Sequence, residues 1–371
     1  MEKIRVAVIF GGRSAEHEIS LLSAQNIVAS LDPQKYEPVL IGIDRAGRWF
    51  LNNGSMHLLN ADDAGTIRLA NDSSEVGLVS TGPSSRLVAL EGGSLGDVDV
   101  IFPVLHGPYG EDGTIQGLAK LADIPCVGAG VLGSAVGMDK DVMKRLLRDA
   151  GIPIAPFHVL HAHRPGTPSY REIVDDLGPT LYVKPANLGS SIGISKALDI
   201  TSYEQAIAEA FRYDRKVIVE QEVRGREIEV SVLGNEAPVA SVPGEIVPHD
   251  GFYSYSAKYL NENGAQLLVP AQLSEEQRLT VQQTALRSYE TLCCAGMARV
   301  DGFLTAKDVF VVNEINTIPG FTRISMYPKL FEASGIGPYE LIDRLIELAI
   351  ERHRTESALN LMPDPECTFG E

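Results

Sequence analysis

The chain has 371 residues, which is long enough for two or three domains, each with its own hydrophobic core. Acidic residues outnumber basic ones, 49 against 32, and the formal net charge is −17. This charge argues against a nucleic acid or an anionic membrane surface as a partner, since both associations depend on clustered Lys and Arg.

Cysteine spacing indicates reduced thiols, and the length of the apolar runs bears on the location of the protein. Of the four cysteines, Cys293 and Cys294 are adjacent and Cys126 and Cys367 stand alone, so there is neither a Cys-x-x-Cys metal pattern nor a disulfide framework. The apolar run at residues 6–10 is too short for the core of a signal peptide, and no later run reaches membrane-spanning length. We therefore expect a cytoplasmic location and no membrane partner.

A strand, a tight loop and a helix open the chain. Residues 4–10 have the pattern of a buried strand, and an apolar-periodic helix is predicted over residues 19–31. The loop between them contains Gly11-Gly12 but lacks the second and third glycines of the dinucleotide fingerprint, which argues against a dehydrogenase. Glu16 and His17 follow the carboxyl end of the strand, where open α/β sheets bind ligands, although Glu16 could instead only cap the helix.

The α/β alternation continues to residue 121. Strands are predicted at residues 39–43 and 98–105, while residues 52–97 are polar and weakly periodic and are interpreted as a peripheral elaboration. His106 begins a second polar segment at a strand end, before a helix over residues 114–121. A lone His is more often structural than catalytic, so we assign His106 only an accessory contact with substrate.

Two lysines on a helix predicted over residues 139–150 lie off its apolar stripe. Lys140 and Lys144 are therefore predicted to be exposed, and neither position by itself indicates a function. Gly151 and Pro153 end the helix.

Lys184 and a loop of small residues form a phosphate-binding signal. Lys184 lies near the end of a predicted strand, and a loop over residues 189–193 with two glycines and two serines follows it. Because this loop has little side-chain bulk, its amides and hydroxyls can close on a phosphate, and Lys184 adds a point charge. The Gly-Lys-Ser/Thr ending of a Walker loop is absent.

Residues 217–269 contain a strand and a long loop. Glu220 and Glu227 could hold adenine and ribose hydroxyls, although an exposed strand end explains them nearly as well. Residues 243–269 are aromatic and weakly periodic, and loops of this length are usually functional lids or disordered segments. Three tyrosines and a lysine argue against disorder, so we predict a lid that carries Lys258 and Tyr259 over the phosphates.

The last predicted hairpin gathers acidic and amide side chains within an apolar sheet. β-Branched and aromatic residues flank a turn at residues 305–308, which predicts two buried strands. If residues 305–308 form the turn, Arg299 lies opposite Glu314 and Asp301 is its diagonal neighbour, while alternation puts Asn316 on the same face as Glu314. Buried carboxylates need a compensating cation, and an all-oxygen set suits a hard ion such as Mg²⁺. The alternative is a carboxylate pair balanced by Arg299 without a metal.

Taken together, these motifs resemble those of the ATP-grasp ligases. They are Lys184 with its Gly/Ser loop, Glu220, the Ala-Lys258-Tyr259 end of the lid, Arg299-Val-Asp301 and Glu314-Ile-Asn316-Thr-Ile-Pro-Gly320. Two earlier motifs, Gly-Gly-Arg-Ser-Ala-Glu16-His-Glu-Ile-Ser and His106-Gly-Pro-Tyr-Gly-Glu-Asp-Gly, narrow the resemblance to the D-alanine–D-alanine ligase family in its longer form. The ordered set covers nearly the whole chain and is highly specific, although no single motif is.

The resemblance implies an ATP-grasp fold of the α/β class with three domains. An N-terminal domain with an open parallel sheet would span residues 1–133, and two α+β domains over residues 134–222 and 223–371 would hold ATP between them, with the lid at residues 243–269. The resemblance also implies two D-alanine molecules and MgATP as partners, with Mn²⁺ as an alternative ion, and a homodimer.

The resemblance also implies a role for each matching residue. ATP contacts are expected from Lys140, Lys184, Glu220, Val223, Glu227 and Lys258, and Mg²⁺ contacts from Asp301, Glu314 and Asn316. Glu16 would pair with the ammonium group of the first D-alanine and form a hydrogen-bonded group with Ser190 and Tyr259. Ser325 and the amide of Met326 would hold the carboxylate of the second D-alanine.

The implied reaction is the ATP-dependent joining of two D-alanines, through a D-alanyl phosphate, for peptidoglycan precursor synthesis. Arg299 and the Gly320 amide are expected to stabilise the oxyanion that forms when the second amine attacks. Tyr259, in place of a cationic residue at this lid position, favours the dipeptide over D-alanyl-D-lactate. A D-alanine–D-lactate ligase and a nucleotide-binding protein without turnover remain as alternatives.

Overall fold

A seven-stranded sheet forms the first part of the fold. The computed structural model describes residues 2–51, 74–80, 85–89, 94–164, 168–248 and 265–360. The strands of this sheet are β1 (Ile4–Gly11), β2 (Tyr36–Ile43), β3 (Trp49–Leu51), β4 (Ser74–Ser80), β5 (Ser85–Ala89), β6 (Ser94–Asp97) and β7 (Val100–Val104), in the order β6-β5-β4-β3-β2-β1-β7. β1 is parallel to β2 and β7, whereas β3 to β6 pair antiparallel. The expected open parallel sheet is therefore only partly right, because the predicted elaboration adds antiparallel strands to its edge.

Strand β1 is buried on both faces, as expected for the central strand of a parallel group. Val6, Val8 and Phe10 belong to one apolar cluster, and Ala7 and Ile9 belong to another. The first helices of the chain are α1 (His17–Ala29), α2 (Thr114–Leu121) and α3 (Val131–Met138). Because β1 and β7 are parallel neighbours, the loops that follow them lie side by side at the same edge of the sheet.

A four-stranded antiparallel sheet follows. Its strands are β8 (Phe157–His161), β9 (Leu181–Pro185), β10 (Ser195–Ala197) and β11 (Lys216–Gln221), in the order β10-β9-β11-β8. The helices of this region are α4 (Lys140–Asp149), α5 (Tyr170–Leu177) and α6 (Ile200–Ala210). Capping boxes at Ser169 with Glu172 and at Asp199 with Ser202 fix where α5 and α6 begin.

The third sheet has six strands and lies in the last part of the chain. The strands β12 (Arg226–Gly234), β14 (Gly244–Pro248), β15 (Ala265–Leu268), β16 (Gly296–Leu304) and β17 (Phe310–Asn316) follow the order β15-β14-β12-β16-β17, and β13 (Val239–Ala240) pairs with β12. The accompanying helices are α7 (Glu275–Thr291), α8 (Met326–Ala333) and α9 (Pro338–Ser357). Leu341, Leu345 and Ile346 of α9 share the apolar cluster of Val6 and Val8, so the end of the chain packs on its first sheet.

The β16–β17 hairpin differs in register from the sequence prediction. Leu304 pairs with Phe310, so the connection is one residue longer than predicted, and a β-bulge then leaves Asn313 without a partner on β16. As a result Arg299 lies opposite Asn316 rather than Glu314, and Asp301 lies opposite Glu314. The predicted register was wrong because two one-residue shifts accumulate between the turn and the acidic residues.

The predicted lid at residues 243–269 begins and ends as regular structure. β14 and β15 pair antiparallel at its two ends. Lys258 and Tyr259 lie outside the described residues, so the predictions about them stay predictions. Among the described residues, no helix combines the length and the apolar character that crossing a bilayer requires.

Candidate active site

Glu16 reaches from the first sheet to the loop that follows β9. Glu16 is the residue before α1, but its side chain makes no capping hydrogen bond, which excludes the simple capping interpretation. Its carboxylate instead accepts a hydrogen bond from the hydroxyl of Ser190. Ser190 has a φ of 52° and Ser191 a φ of 58°, so the small-residue loop adopts a left-handed turn that presents the hydroxyl of Ser190 to Glu16. The predicted pairing of Glu16 with Ser190 is present.

His106 and Glu111 both bind the peptide groups of Ile318. Nδ1 of His106 lies 3.0 Å from the carbonyl oxygen of Ile318, and the amide of Ile318 donates to Oε1 of Glu111 at 3.1 Å. Glu111 also accepts from the Gly107 amide at 2.8 Å. These bonds connect the loop after β7 to the turn after β17 and so fix the position of the segment that leads to Gly320.

Burial sets the charge state of both side chains. Burial lowers the pKa of His106 despite the opposing charge of Glu16, so the imidazole is neutral near pH 7. Because a carbonyl can only accept, Nδ1 carries the proton and Nε2 is an acceptor, which is buried and has no hydrogen-bond partner among the described residues. Burial and the charge of Glu16 raise the pKa of Glu111 to about 7.

Arg299 lies between two buried carboxylates. Its guanidinium contacts both oxygens of Asp301 at 2.7 Å, and its Nε is 2.9 Å from Oε2 of Glu229. Asn316 donates to Oδ2 of Asp301 at 2.8 Å. This fork fixes the guanidinium in one orientation. Sequence reasoning missed Glu229, although alternation places it on the same face of β12 as the predicted Glu227.

The predicted metal ligands lie together on neighbouring strands. Asp301 and Glu314 are register partners, and Asn316 is hydrogen-bonded to Asp301. Two carboxylates and an amide form an all-oxygen set that fits Mg²⁺ once the Asn316 amide turns its oxygen inward. In this structure Arg299 balances Asp301, and Lys140 lies 3.2 Å from Glu314. No group of three His, Cys, Asp or Glu side chains with metal-ligand spacing occurs in the described part of the chain.

The lysines of α4 are buried, which contradicts the prediction that they are exposed. Lys140 donates to the carbonyl oxygen of Leu188 at 2.7 Å, and the side chain of Lys144 is completely buried. Lys184 donates to Glu220 and to Asn313, both at 2.9 Å. The prediction was wrong because carboxylates on other elements compensate these charges, which the helix pattern alone does not reveal.

Two cavities meet at Glu314. The larger, of about 510 Å³, lies between the four-stranded and six-stranded sheets, and its lining includes Lys184, Glu220, Val223, Glu227, Asp301 and Glu314. The smaller, of about 100 Å³, is lined by residues that include Glu16, His106, Ser190, Arg299, Glu314, Asn316, Gly320, Ser325 and Met326. Ile246 also lines both cavities, so a group in one cavity lies next to a group in the other across these two side chains.

Gly320 and the start of α8 shape the smaller cavity. The Ser325 hydroxyl accepts from the amide of Thr322 at 3.0 Å and lies 2.8 Å from the hydroxyl of Thr322. A Cβ atom on Gly320 would lie 2.8 Å from Oγ of Ser325, so a larger residue there would displace the Ser325 side chain. Met326 is the first residue of α8, where backbone amides favour a bound anion.

Comparison with known proteins assigns the chain to a family. Two family descriptions match it: "D-ala D-ala ligase N-terminus" over residues 5–129 and "D-ala D-ala ligase C-terminus" over residues 146–347. The chain belongs to the D-alanine–D-alanine ligase family. The D-alanine–D-alanine ligase A of Salmonella typhimurium is 52% identical over 360 residues, which cover 97% of this chain and 99% of that protein.

Solved structures of the D-alanine–D-alanine ligase family have the same fold. The D-alanine–D-alanine ligase from Coxiella burnetii superposes with a TM-score of 0.85 at 41% identity and covers 96% of this chain and 97% of its own. The VanG D-Ala:D-Ser ligase from Enterococcus faecalis superposes with a TM-score of 0.83 at 35% identity and covers 94% of this chain and 100% of its own. The predicted ATP-grasp fold is thus confirmed.

Most of the site residues expected from the ligase family line the two cavities. The exception among the described ones is Lys140, which does not line either cavity but whose Nζ is within ion-pair distance of Glu314. Sequence reasoning missed Glu111 and Lys144 as members of this site. Glu111 lies in the same Gly-rich motif as His106, and its acidic character at a strand end was the available signal.

Proposed function

We propose that this protein joins two D-alanines into D-alanyl-D-alanine and converts ATP to ADP and phosphate. The product would serve peptidoglycan precursor synthesis. The observation that carries the proposal is the meeting of the two cavities at Glu314, because a nucleotide in the larger cavity would then lie next to an amino acid in the smaller one. Membership of the ligase family supports the same reaction.

The larger cavity is the proposed ATP site. Lys140 and Lys184 would contact phosphates, while Glu220, Val223 and Glu227 would contact adenine and ribose. Asp301, Glu314 and Asn316 would hold Mg²⁺, with Mn²⁺ as an alternative ion of similar ligand preference. When bound, the ion offsets negative charge on the phosphoryl group that is transferred. Lys258 and Tyr259 stay predictions for the same region.

The smaller cavity is the proposed D-alanine site. Glu16, which is buried and oriented by Ser190, would pair with the ammonium group of the first D-alanine. Ser325 and the amide of Met326 would hold the carboxylate of the second, because an anion is favoured at the start of α8. His106 would contact the first D-alanine through Nε2 or through the edge of its ring.

The proposed reaction has two steps. A carboxylate is a poor acyl donor, so a carboxylate oxygen of the first D-alanine attacks the γ-phosphorus of ATP, and ADP leaves. The amine of the second D-alanine then attacks the carbonyl carbon of the acyl phosphate, and inorganic phosphate leaves with the bridging oxygen. Arg299, held by Glu229 and Asp301, and the amide of Gly320 would donate to the oxyanion that forms in this second step.

Release of ADP with D-alanine and with L-alanine tests the proposal. We expect D-alanine to stimulate ADP release, L-alanine to leave it at the basal rate, and mass spectrometry to find the dipeptide as product. A Lys184→Met variant is the control, because it removes a phosphate contact while leaving the D-alanine cavity intact. Binding of ATP without stimulation by D-alanine would favour a nucleotide-binding protein instead.

The second substrate is tested in the same assay. The VanG structure is described as that of a D-Ala:D-Ser ligase, so relatives with this fold differ in the second amino acid. We expect D-alanine to be used in preference to D-serine and D-lactate near neutral pH. Predominant formation of the depsipeptide from a mixture of D-alanine and D-lactate would overturn this choice.

We also propose that the protein is a cytoplasmic homodimer. Apolar side chains on neighbouring helices of the described surface, Leu121 of α2 at 83% and Leu132 of α3 at 61% exposure, are ones that a second copy would cover. Light scattering during size-exclusion chromatography measures the mass directly, and the mass of one chain in dilute solution would contradict the dimer.

A further inference from the structure

Lys144 lies behind the wall of the proposed ATP site. It is four residues after Lys140 on α4, its side chain is 0% exposed, and it does not line the larger cavity. Its Nζ lies 3.2 Å from Oε1 of Glu220. Glu220 itself lines the cavity and is the carboxylate that Lys144 contacts, so it connects Lys144 to the proposed ligand site.

Glu220 is shared between two lysines. Its Oε2 accepts from Lys184 at 2.9 Å, while Oε1 faces Lys144. Burial acts to raise the pKa of Glu220, but the charges of Lys144 and Lys184 outweigh it and leave the pKa below its usual value. Burial also lowers the pKa of Lys144, and the charge of Glu220 opposes that change.

The charge balance of this cluster decides what Lys184 presents to a phosphate. Among the described residues, Glu220 is the only carboxylate that contacts Lys184. If Glu220 had no other cationic partner, its negative charge would cancel the positive charge of Lys184. Lys144 supplies that balance from the side opposite the cavity. Asn313, at the β-bulge, holds Lys184 through a neutral amide oxygen and adds no charge.

We propose that Lys144 is a positioning residue for ATP: it neutralises Glu220 so that Lys184 keeps a net positive charge for the phosphates. The inference rests on the proposed function of the larger cavity. Because the cluster is shielded from water, the interaction is stronger than the same pair at a surface. Lys144 contacts no substrate, so its loss affects ATP binding rather than the D-alanine site.

A double-mutant cycle between Lys144 and Glu220 tests the proposal. Lys144→Met keeps the length of the side chain and removes its charge, and Glu220→Gln removes the charge that Lys144 balances. We expect Lys144→Met alone to weaken ATP binding by about tenfold or more, measured by calorimetry, and to leave the KM for D-alanine unchanged. In the Glu220→Gln background the same change is expected to alter ATP affinity by no more than about twofold.

The cycle separates charge from packing. Any loss of the contact between Glu220 and adenine occurs equally in Glu220→Gln and in the double variant, so it cancels. Leu147→Ala is the matched control, because Leu147 is one turn further along α4 and is also fully buried. It is expected to lower the unfolding temperature without changing ATP affinity.

Three results would overturn the proposal. Equal losses of ATP affinity in both backgrounds would show that Lys144 only supports packing, and an unchanged affinity in Lys144→Met would show that Lys144 carries no charge that matters. If Lys144→Met does not fold, the double variant is compared with Glu220→Gln, and a large difference between them contradicts the proposal. Failure of D-alanine to stimulate ADP release by the unmodified protein would instead reject the proposed function.

Discussion

Replacing Glu111 by Gln is expected to remove a pH dependence from the stability of the protein. Glu111 is buried and accepts hydrogen bonds from the amides of Gly107 and Ile318. Burial, followed by the charge of Glu16, raises the pKa of Glu111 from 4.5 to about 7. The folded state therefore binds a proton more tightly than the unfolded chain does.

The sign and size of the effect follow from this difference. A carboxyl group with a raised pKa contributes stability that is fully present below its unfolded pKa and is lost as the pH rises through the folded pKa. At about 1.36 kcal/mol per pKa unit, a rise from 4.5 to about 7 corresponds to roughly 3 kcal/mol. Most of this stabilisation is lost between about pH 5 and about pH 7, and little changes above that range.

Urea unfolding of both proteins at several pH values between about 5 and 8 measures the difference. The free energy of unfolding of the unmodified protein, relative to that of Glu111→Gln, is expected to fall by roughly 3 kcal/mol as the pH rises. Gln also turns an N–H group toward one backbone amide, which costs about 1–3 kcal/mol at every pH. The slope is therefore the informative quantity, and parallel pH profiles for the two proteins would refute the reasoning.

Three substitutions test the proposed D-alanine cavity. Arg299→Lys keeps a positive charge between Glu229 and Asp301 but loses the planar guanidinium with its several N–H donors. We expect kcat to fall by about 10²- to 10³-fold in steady-state assays. An unchanged kcat would exclude Arg299 as an oxyanion donor. Ser325→Ala is expected to raise the KM for the second D-alanine by about tenfold or more, since a hydrogen bond to a charged group contributes about 1.5–3 kcal/mol. An equal rise in the KM for ATP would indicate a general disturbance of the structure instead. Glu16→Gln is expected to weaken binding of the first D-alanine and to leave binding of the second unchanged, and two-substrate kinetics measures the two separately. Equal weakening of binding at both subsites would argue against this assignment.

Local patterns were sufficient to predict many elements and much of the site. The helix predicted at residues 114–121 is α2, and the strand predicted at residues 4–10 is β1 with one further residue. Both have an unbroken apolar pattern that ends at glycine or at a polar segment, so the neighbouring sequence determines them. Glu16 was found because ligand-binding groups gather at strand ends in α/β folds, and Glu314 because alternation gathers acidic side chains on one face of a buried hairpin.

The remaining features depend on contacts between distant segments. The bulge at Asn313 shifts the hairpin register by one residue and directs its amide to Lys184, and nothing in the run of residues 310–316 marks it. The burial of Lys144 depends on a carboxylate 76 positions away in the chain, since 220 − 144 = 76. The bond of Glu111 to the Ile318 amide joins residues 207 positions apart in the chain. Such partners are chosen by tertiary packing, which a local pattern does not report.

Oxygen-18 labelling determines whether a phosphoryl group passes from ATP to the carboxylate of D-alanine, as the two neighbouring cavities predict. D-Alanine with its carboxylate oxygens replaced by oxygen-18 is incubated with the protein, ATP and Mg²⁺, and the inorganic phosphate released is analysed by mass spectrometry. We expect each phosphate formed together with a dipeptide to carry one labelled oxygen, because the bridging oxygen leaves with it. Dipeptide formation with unlabelled phosphate would contradict the account.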